Sequence, residues 1–132
     1  MTDYLYSDVT DKIIKCAYRV HNTLGFGFLE KVYENALAIE LRAYGLAVEQ
    51  QKPLTVRYRG EVVGEFLIDL LLEGKIIVEI KAVRQLIDIH EIQVLNYLKG
   101  CGLEVGLLIN FSQSLEVKRK YFKSAARSEK SE

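Results

Sequence analysis

Apolar residues recur at helical spacing at Val9, Ile13, Ile14, Ala17, Val20 and Leu24, and Ser7 or Asp8 stands where an N-cap is wanted. This predicts a first helix over Ser7–Leu24. Gly25-Phe26-Gly27 breaks the pattern, which resumes at Leu29, Val32, Tyr33, Ala36, Leu37 and Leu41 and runs to Gly45, a suitable C-terminal cap. Three β-like runs follow, at 54–58, 62–72 and 76–83, separated by Arg59-Gly60-Glu61 and Glu73-Gly74-Lys75. They read as an antiparallel meander. A helical stretch at 87–99 ends at Gly100 and Gly102, and a compact apolar strand occupies 105–109. From Ser112 a basic amphipathic segment, helix or strand, fades into a polar tail. The expected organisation is one domain over 1–122 with a flexible tail over 123–132. Its fold class is α/β: a helix-covered mixed sheet in which a helical crossover leads from the meander to a further strand.

The length of 132 residues and a hydrophobic content of 49% suffice for one buried core without disulfides or metal clips. Eighteen basic residues cancel eighteen acidic ones, so contact with nucleic acid has to be local rather than driven by a global positive field. Cys16 and Cys101 have neither metal-ligand spacing nor a partner motif and read as reduced thiols. No signal-peptide pattern and no apolar run long enough to span a bilayer is present, which predicts a cytoplasmic protein without membrane contact.

The middle strands carry the candidate chemistry. Phe66, Ile68, Leu70 and Leu72 alternate with Leu67, Asp69 and Leu71, and Ile76, Val78, Ile80 and Ala82 alternate with Ile77, Glu79 and Lys81. The even positions are wholly apolar and are expected to form one core face. If Gly74 takes the left-handed conformation in a three-residue hairpin loop, Leu72 pairs with Ile76, and the same register sets Asp69 opposite Glu79. Carboxylates about 5 Å apart across a strand pair repel. Either Lys81 neutralises them on a wet face, or a divalent cation lies between them. Mg²⁺ favours one or two carboxylates with waters and substrate phosphate, and Lys81 beside it would suit phosphodiester hydrolysis.

Ile68-Asp69 followed by Glu79-Ile80-Lys81 resembles the split Asp and Glu-x-Lys signature of the PD-(D/E)xK nuclease superfamily. Gly27-Phe28-Leu29-Glu30-Lys31-Val32-Tyr33 is similar to the pattern of the GxxExxY family, as are His21, Leu24-Gly25, Glu40-Leu41, Tyr58-Gly60, Gln93, Tyr97-Leu98 and Gly106 to Asn110-Phe111. The likeness covers roughly 11–122. It implies a PD-(D/E)xK nuclease-like core and a Mg²⁺- or Mn²⁺-dependent hydrolase acting on DNA or RNA. Asp69, Glu79 and the backbone carbonyl of Ile80 would be metal ligands, and Lys81 would position the attacking water. Glu30 would touch the metal or its water, and Gln93 would line the same cleft. Ile68 stands where the superfamily's name has proline, a position that varies widely.

Each of these residues also has a structural explanation. Glu30 is an acid in the first turn of a helix, where the dipole favours it. His21 lies on an apolar helix face with Ala17 and Leu24 and reads as a hydrogen-bonded packing residue. Gln93 and Tyr97 are one turn apart and need no special role. Gly25 and Gly27 lack the Gly-Lys-Ser/Thr of a phosphate loop. Lys118-Arg119-Lys120 offers either a phosphate contact or a solvated basic run. The alternative to a nuclease is a catalytically silent module of the same fold that binds nucleic acid or a protein. A basic rim around Asp69 would favour a nucleic acid, and an apolar patch a protein. A homodimer would suit cutting both strands of a duplex, although no residue demands one.

Overall fold

The computed structural model describes residues 5–123. Its elements are α1 (Ser7–Leu24), α2 (Glu30–Ala43), β1 (Val48–Tyr58), β2 (Glu61–Leu72), β3 (Ile76–Lys81), α3 (Asp88–Cys101), β4 (Val105–Phe111) and β5 (Leu115–Tyr121). The five strands form one sheet in the order β1-β2-β3-β4-β5. The first three are an antiparallel meander, α3 crosses over to give a parallel β3–β4 pair, and β5 returns antiparallel to β4. This is the α/β architecture expected, a mixed sheet flanked by helices. Apart from Lys123, the polar tail expected over 123–132 lies outside the described residues.

Helices cover both faces. On one, α1 and α2 pack Ile13, Ala17, Tyr33, Leu37 and Leu41 against Leu70, Leu72, Ile76, Val78 and Ile80. On the other, Val94, Tyr97 and Leu98 of α3 pack against Leu54, Ile68, Leu71, Ile77 and Leu108. β4 is buried along its whole length because both of its faces are covered, which is why it reads as an unbroken apolar run. Gly106 admits α3 to the sheet: a Cβ there would stand 2.8 Å from Val94 Cγ1.

Strand boundaries differ from expectation, with β3 ending at Lys81 rather than at 83 and β4 running to Phe111 rather than to 109. β1 begins at Val48 rather than near Leu54, because Pro53 and the polar run before it conceal an edge strand, where proline is tolerated. The segment after Ser112 becomes β5, an edge strand with Lys and Arg along it, a common protection against unwanted strand pairing.

The β2–β3 turn follows the expected register. Gly74 has φ 67° and Glu73 also turns left-handed at φ 55°, and Leu72, Leu71 and Leu70 pair with Ile76, Ile77 and Val78. Glu73 is held there by two bonds to Ala47: its N–H donates to the Ala47 carbonyl and its carboxylate accepts the Ala47 N–H. The single apolar face expected along the even positions of β2 is not formed. Ile68 packs on the α3 side whereas Leu70 and Leu72 pack on the α1–α2 side, and Phe66 is 43% exposed against Tyr97 of α3. The change of side falls at Asp69. Across from it on β1, Gln51 has φ 54° and drops out of the pairing that resumes at Lys52 and Ile68. A left-handed non-glycine residue inside a strand is strained backbone, and here it twists both strands over together.

Candidate active site

The turn before α2 is built by the Gly27-to-Tyr33 segment. Gly27 has φ 109°, a conformation that L side chains rarely adopt, and Tyr33 fastens the loop from beneath. The Tyr33 hydroxyl donates to the Gly25 carbonyl at 2.8 Å and accepts the Phe28 N–H at 3.2 Å. Its ring stacks on Phe111 at 4.6 Å, so the loop is tied to the end of β4. The consequence is a fixed helix start that holds Glu30 in the first turn of α2, exposed and with no hydrogen bond or ion pair among the described residues.

Where the β2–β3 ladder stops, side chains take over from backbone. Beyond the Leu70–Val78 pair, Glu79 Oε1 accepts the Asp69 N–H at 2.9 Å, and Asp69 Oδ2 accepts the Ile80 N–H at 2.8 Å. Each carboxylate spends one oxygen on the opposite strand's backbone, and the two side chains also lie within hydrogen-bonding reach of each other. Asp69 Oδ1 has only a long 3.5 Å contact, from Gln51 Nε2. The two acids thus face each other as the register predicts, but through a local opening of the sheet rather than as a regular ladder pair.

The electrostatics of this pair are severe. Burial pushes Glu79 up to about 8, the adjacent Asp69 charge adds to the rise, and the bond from the Asp69 N–H and the nearby Lys81 act against it. Asp69 is also raised, first by burial and then by the charges of Glu34 and Glu30, against the Ile80 N–H and Gln51 bonds. Lys81 makes no hydrogen bond or ion pair among the described residues. Gln93 Nε2 donates to the Tyr97 hydroxyl at 3.0 Å. Burial raises Tyr97, and the charges of Glu79 and then Asp69 add to this, which places the Gln93–Tyr97 pair of α3 beside the acids.

Glu34, Gln50 and Gln51 complete the site and were not expected from sequence. Glu34, one turn beyond Glu30, is buried; its Oε2 accepts Gln50 Nε2 at 2.8 Å, its Oε1 accepts Gln51 Nε2 at 2.7 Å, and Lys31 lies at 3.3 Å. Consecutive strand residues normally point to opposite faces. The left-handed Gln51 cancels that rule and turns both amides toward α2. The four-residue spacing of Glu30 and Glu34 was a usable signal; the Gln50-Gln51 doublet was not.

Several other candidates prove structural or remote. His21 Nε2 lies 2.7 Å from the Ser112 carbonyl, as suits a packing histidine. In the basic run on β5, Arg119 pairs with Asp11 at 2.6 Å and Lys120 with Glu91 at 2.8 Å, at the opposite edge of the sheet from β1. Two of the three charges of that run are thus spent within the fold, and Lys118 is exposed. Cys16 and Cys101 are free thiols.

Among the described residues no group of three or more His, Cys, Asp or Glu forms a ready-made metal cage. Two hard carboxylates facing each other do fit Mg²⁺ or Mn²⁺, which fill their remaining positions with water and substrate oxygens. Burial first, and then neighbouring carboxylates, raise both acids, and a cation held between them would offset both effects.

A family model described as the PD-(D/E)XK nuclease superfamily matches residues 7–121. The narrower GxxExxY likeness rests on the residues quoted above. Among solved structures, that of SSO0001 matches at a TM-score of 0.55 and 20% identity, covering 87% of this chain and 59% of that one. At that identity the likeness concerns the fold. This chain spans 59% of the length of SSO0001. A search of curated proteins finds no significant match. Among the described residues no helix is long and apolar enough to cross a membrane.

Proposed function

The chain belongs to the PD-(D/E)XK nuclease superfamily, and from that premise we propose that it is a Mg²⁺- or Mn²⁺-dependent nuclease hydrolysing phosphodiester bonds in DNA or RNA. The observation that carries this reading is the opening of the β2–β3 ladder at Asp69 and Glu79, with each carboxylate anchored by one oxygen. Asp69, Glu79 and the Ile80 carbonyl would hold the cation, which would supply positive charge at a phosphoryl oxygen. Lys81 orients the attacking water and faces the charge that grows on the phosphoryl group, a task suited to an unpaired ammonium. Glu30 holds a further water at the site from the first turn of α2. Glu34 fixes Gln51 against Asp69 and so acts as a positioning residue. Gln93, hydrogen-bonded to Tyr97, lines the substrate side of the cleft.

The test is cleavage of labelled single- and double-stranded DNA and RNA by purified protein in Mn²⁺, in Mg²⁺ and in chelator. Metal-dependent cleavage that disappears in a folded Asp69→Asn protein supports the reading; cleavage unaffected by that substitution refutes it. A module that binds without cutting is the second reading, favoured by the apolar groove beside α3. It predicts binding without turnover in the same assay.

A further inference from the structure

A groove of about 820 Å³ runs between α3 and the β1–β2 hairpin, within the size range of sites that enclose small organic ligands. Phe66 and Tyr97 form an aromatic wall, with ring centroids 5.7 Å apart and planes inclined at 47°. Arg57 and Lys99 stand on its rim, both exposed, and no Asp or Glu lines it. Arg57 donates to the Gly60 carbonyl of its own hairpin, and Lys99 has no ion pair among the described residues. Asn96 adds an exposed amide. His90 accepts the Ile87 N–H at Nδ1, so the proton of its neutral ring is on Nε2.

We propose that this groove binds a single strand of nucleic acid, with an unstacked base against Phe66 and Tyr97 and flanking phosphates near Arg57 and Lys99. This rests on the nuclease reading and specifies the form of substrate that its site receives. An apolar wall alone would equally suit a protein segment. Cationic rim residues without a single acid, combined with aromatic faces, match the two chemical features of an unpaired strand, its phosphates and its exposed π-faces. A paired duplex presents its phosphates but keeps its base faces stacked. The groove also leads to the carboxylates. Phe66 is three residues before Asp69 on β2, roughly 10 Å at strand rise, and Tyr97 of the groove lies within reach of the charges of Glu79 and Asp69. A strand lying along α3 would therefore bring a neighbouring phosphate toward Asp69 and Glu79.

The test is fluorescence anisotropy of the full chain with labelled single-stranded DNA and RNA and with the matching duplex, in chelator to prevent cutting, over a salt series. Single strands should bind more tightly than duplex. Phe66→Ala should weaken single-strand binding by about tenfold or more, the scale of losing one base-stacking platform. Lys99→Ala, at an exposed position where folding is not at stake, should lower the salt dependence by about one phosphate contact. No single-strand binding, equal binding of strand and duplex, or affinities unchanged in both variants would overturn the assignment. So would dimerisation that Phe66→Ala abolishes in a chain with no oligonucleotide affinity, which would give the groove to a second copy. Cleavage measured in parallel with Mn²⁺ keeps the two readings apart. Metal-dependent cleavage with unaltered binding in both variants sinks the groove and spares the nuclease; groove-dependent binding by a wild type that never cleaves does the reverse.

Discussion

Replacing Glu79 by Gln should stabilise the metal-free protein at alkaline pH, and the size of the gain follows from the site. Glu79 is 5% exposed and its carboxyl is pushed from 4.5 to about 8 by burial and by Asp69. Below 4.5 the group is protonated in folded and unfolded chains alike. Between these values the folded state keeps a proton that the unfolded chain has released, so stability falls as pH rises, and above about 8 the full penalty of a buried charge is carried. At about 1.4 kcal/mol per pKa unit the span sets a ceiling on the order of 5 kcal/mol. The substituted amide stays neutral at every pH and retains an oxygen to accept the Asp69 N–H. A gain of at least ~2 kcal/mol at pH 8.5 is expected, or roughly 6–10 °C in Tm for a domain of this size. Thermal melts in chelator from about pH 5 to 9 measure it. The Tm difference between Glu79→Gln and wild type should be near zero at the acidic end and rise to a plateau above about 8. Adding Mn²⁺ should raise the wild-type Tm and close the gap, since a ligand of the folded state stabilises by mass action. A difference that is flat in pH, or a variant less stable at pH 8.5, would refute the reasoning that these acids repel in a buried site.

Other consequences of the site are open to measurement. Lys81→Ala should lower the cleavage rate by ~100-fold or more while divalent affinity, read by calorimetry, changes little. Tyr33→Phe removes the hydroxyl that bridges Gly25 and Phe28 and should cost about 1–2 kcal/mol in denaturant melts, with a drop in cleavage as the Glu30 turn loosens. Glu34→Ala leaves the Gln51 amide only its long contact to Asp69, while Gln50 keeps Asn35, and should cost about 1–3 kcal/mol. Because the Glu34 charge raises Asp69, the same change should move the acid limb of the cleavage–pH profile downward.

Sequence periodicity reaches the helices, the order of strands and the parallel crossover because each depends on patterns that packing enforces. It also reaches the Leu72–Ile76 register set locally at Gly74, which holds as far as Leu70–Val78; beyond it Asp69 and Glu79 meet through an opening of the ladder that the register does not foresee. It fails where one residue changes the rules of alternation. The positive φ of Gln51 turns β1 and β2 over at Asp69, so Ile68 and Leu70, both even and both apolar, serve opposite cores. No spacing argument foresees that Gln50 and Gln51 converge on Glu34, since strand geometry normally sends neighbours apart. The pairing of Arg119 and Lys120 in the basic run on β5 is hidden from sequence for a different reason. Their charges are used by Asp11 and Glu91, partners distant in sequence that only the fold brings near.

The central claim is that Asp69 and Glu79 form a divalent-cation site with Lys81 beside it. Anomalous scattering from crystals grown with Mn²⁺ tests this most directly. The account predicts a peak bounded by the carboxylates of Asp69 and Glu79 and the Ile80 carbonyl, absent from crystals of Asp69→Asn. A peak held by other residues, or no peak there at saturating Mn²⁺, would contradict it.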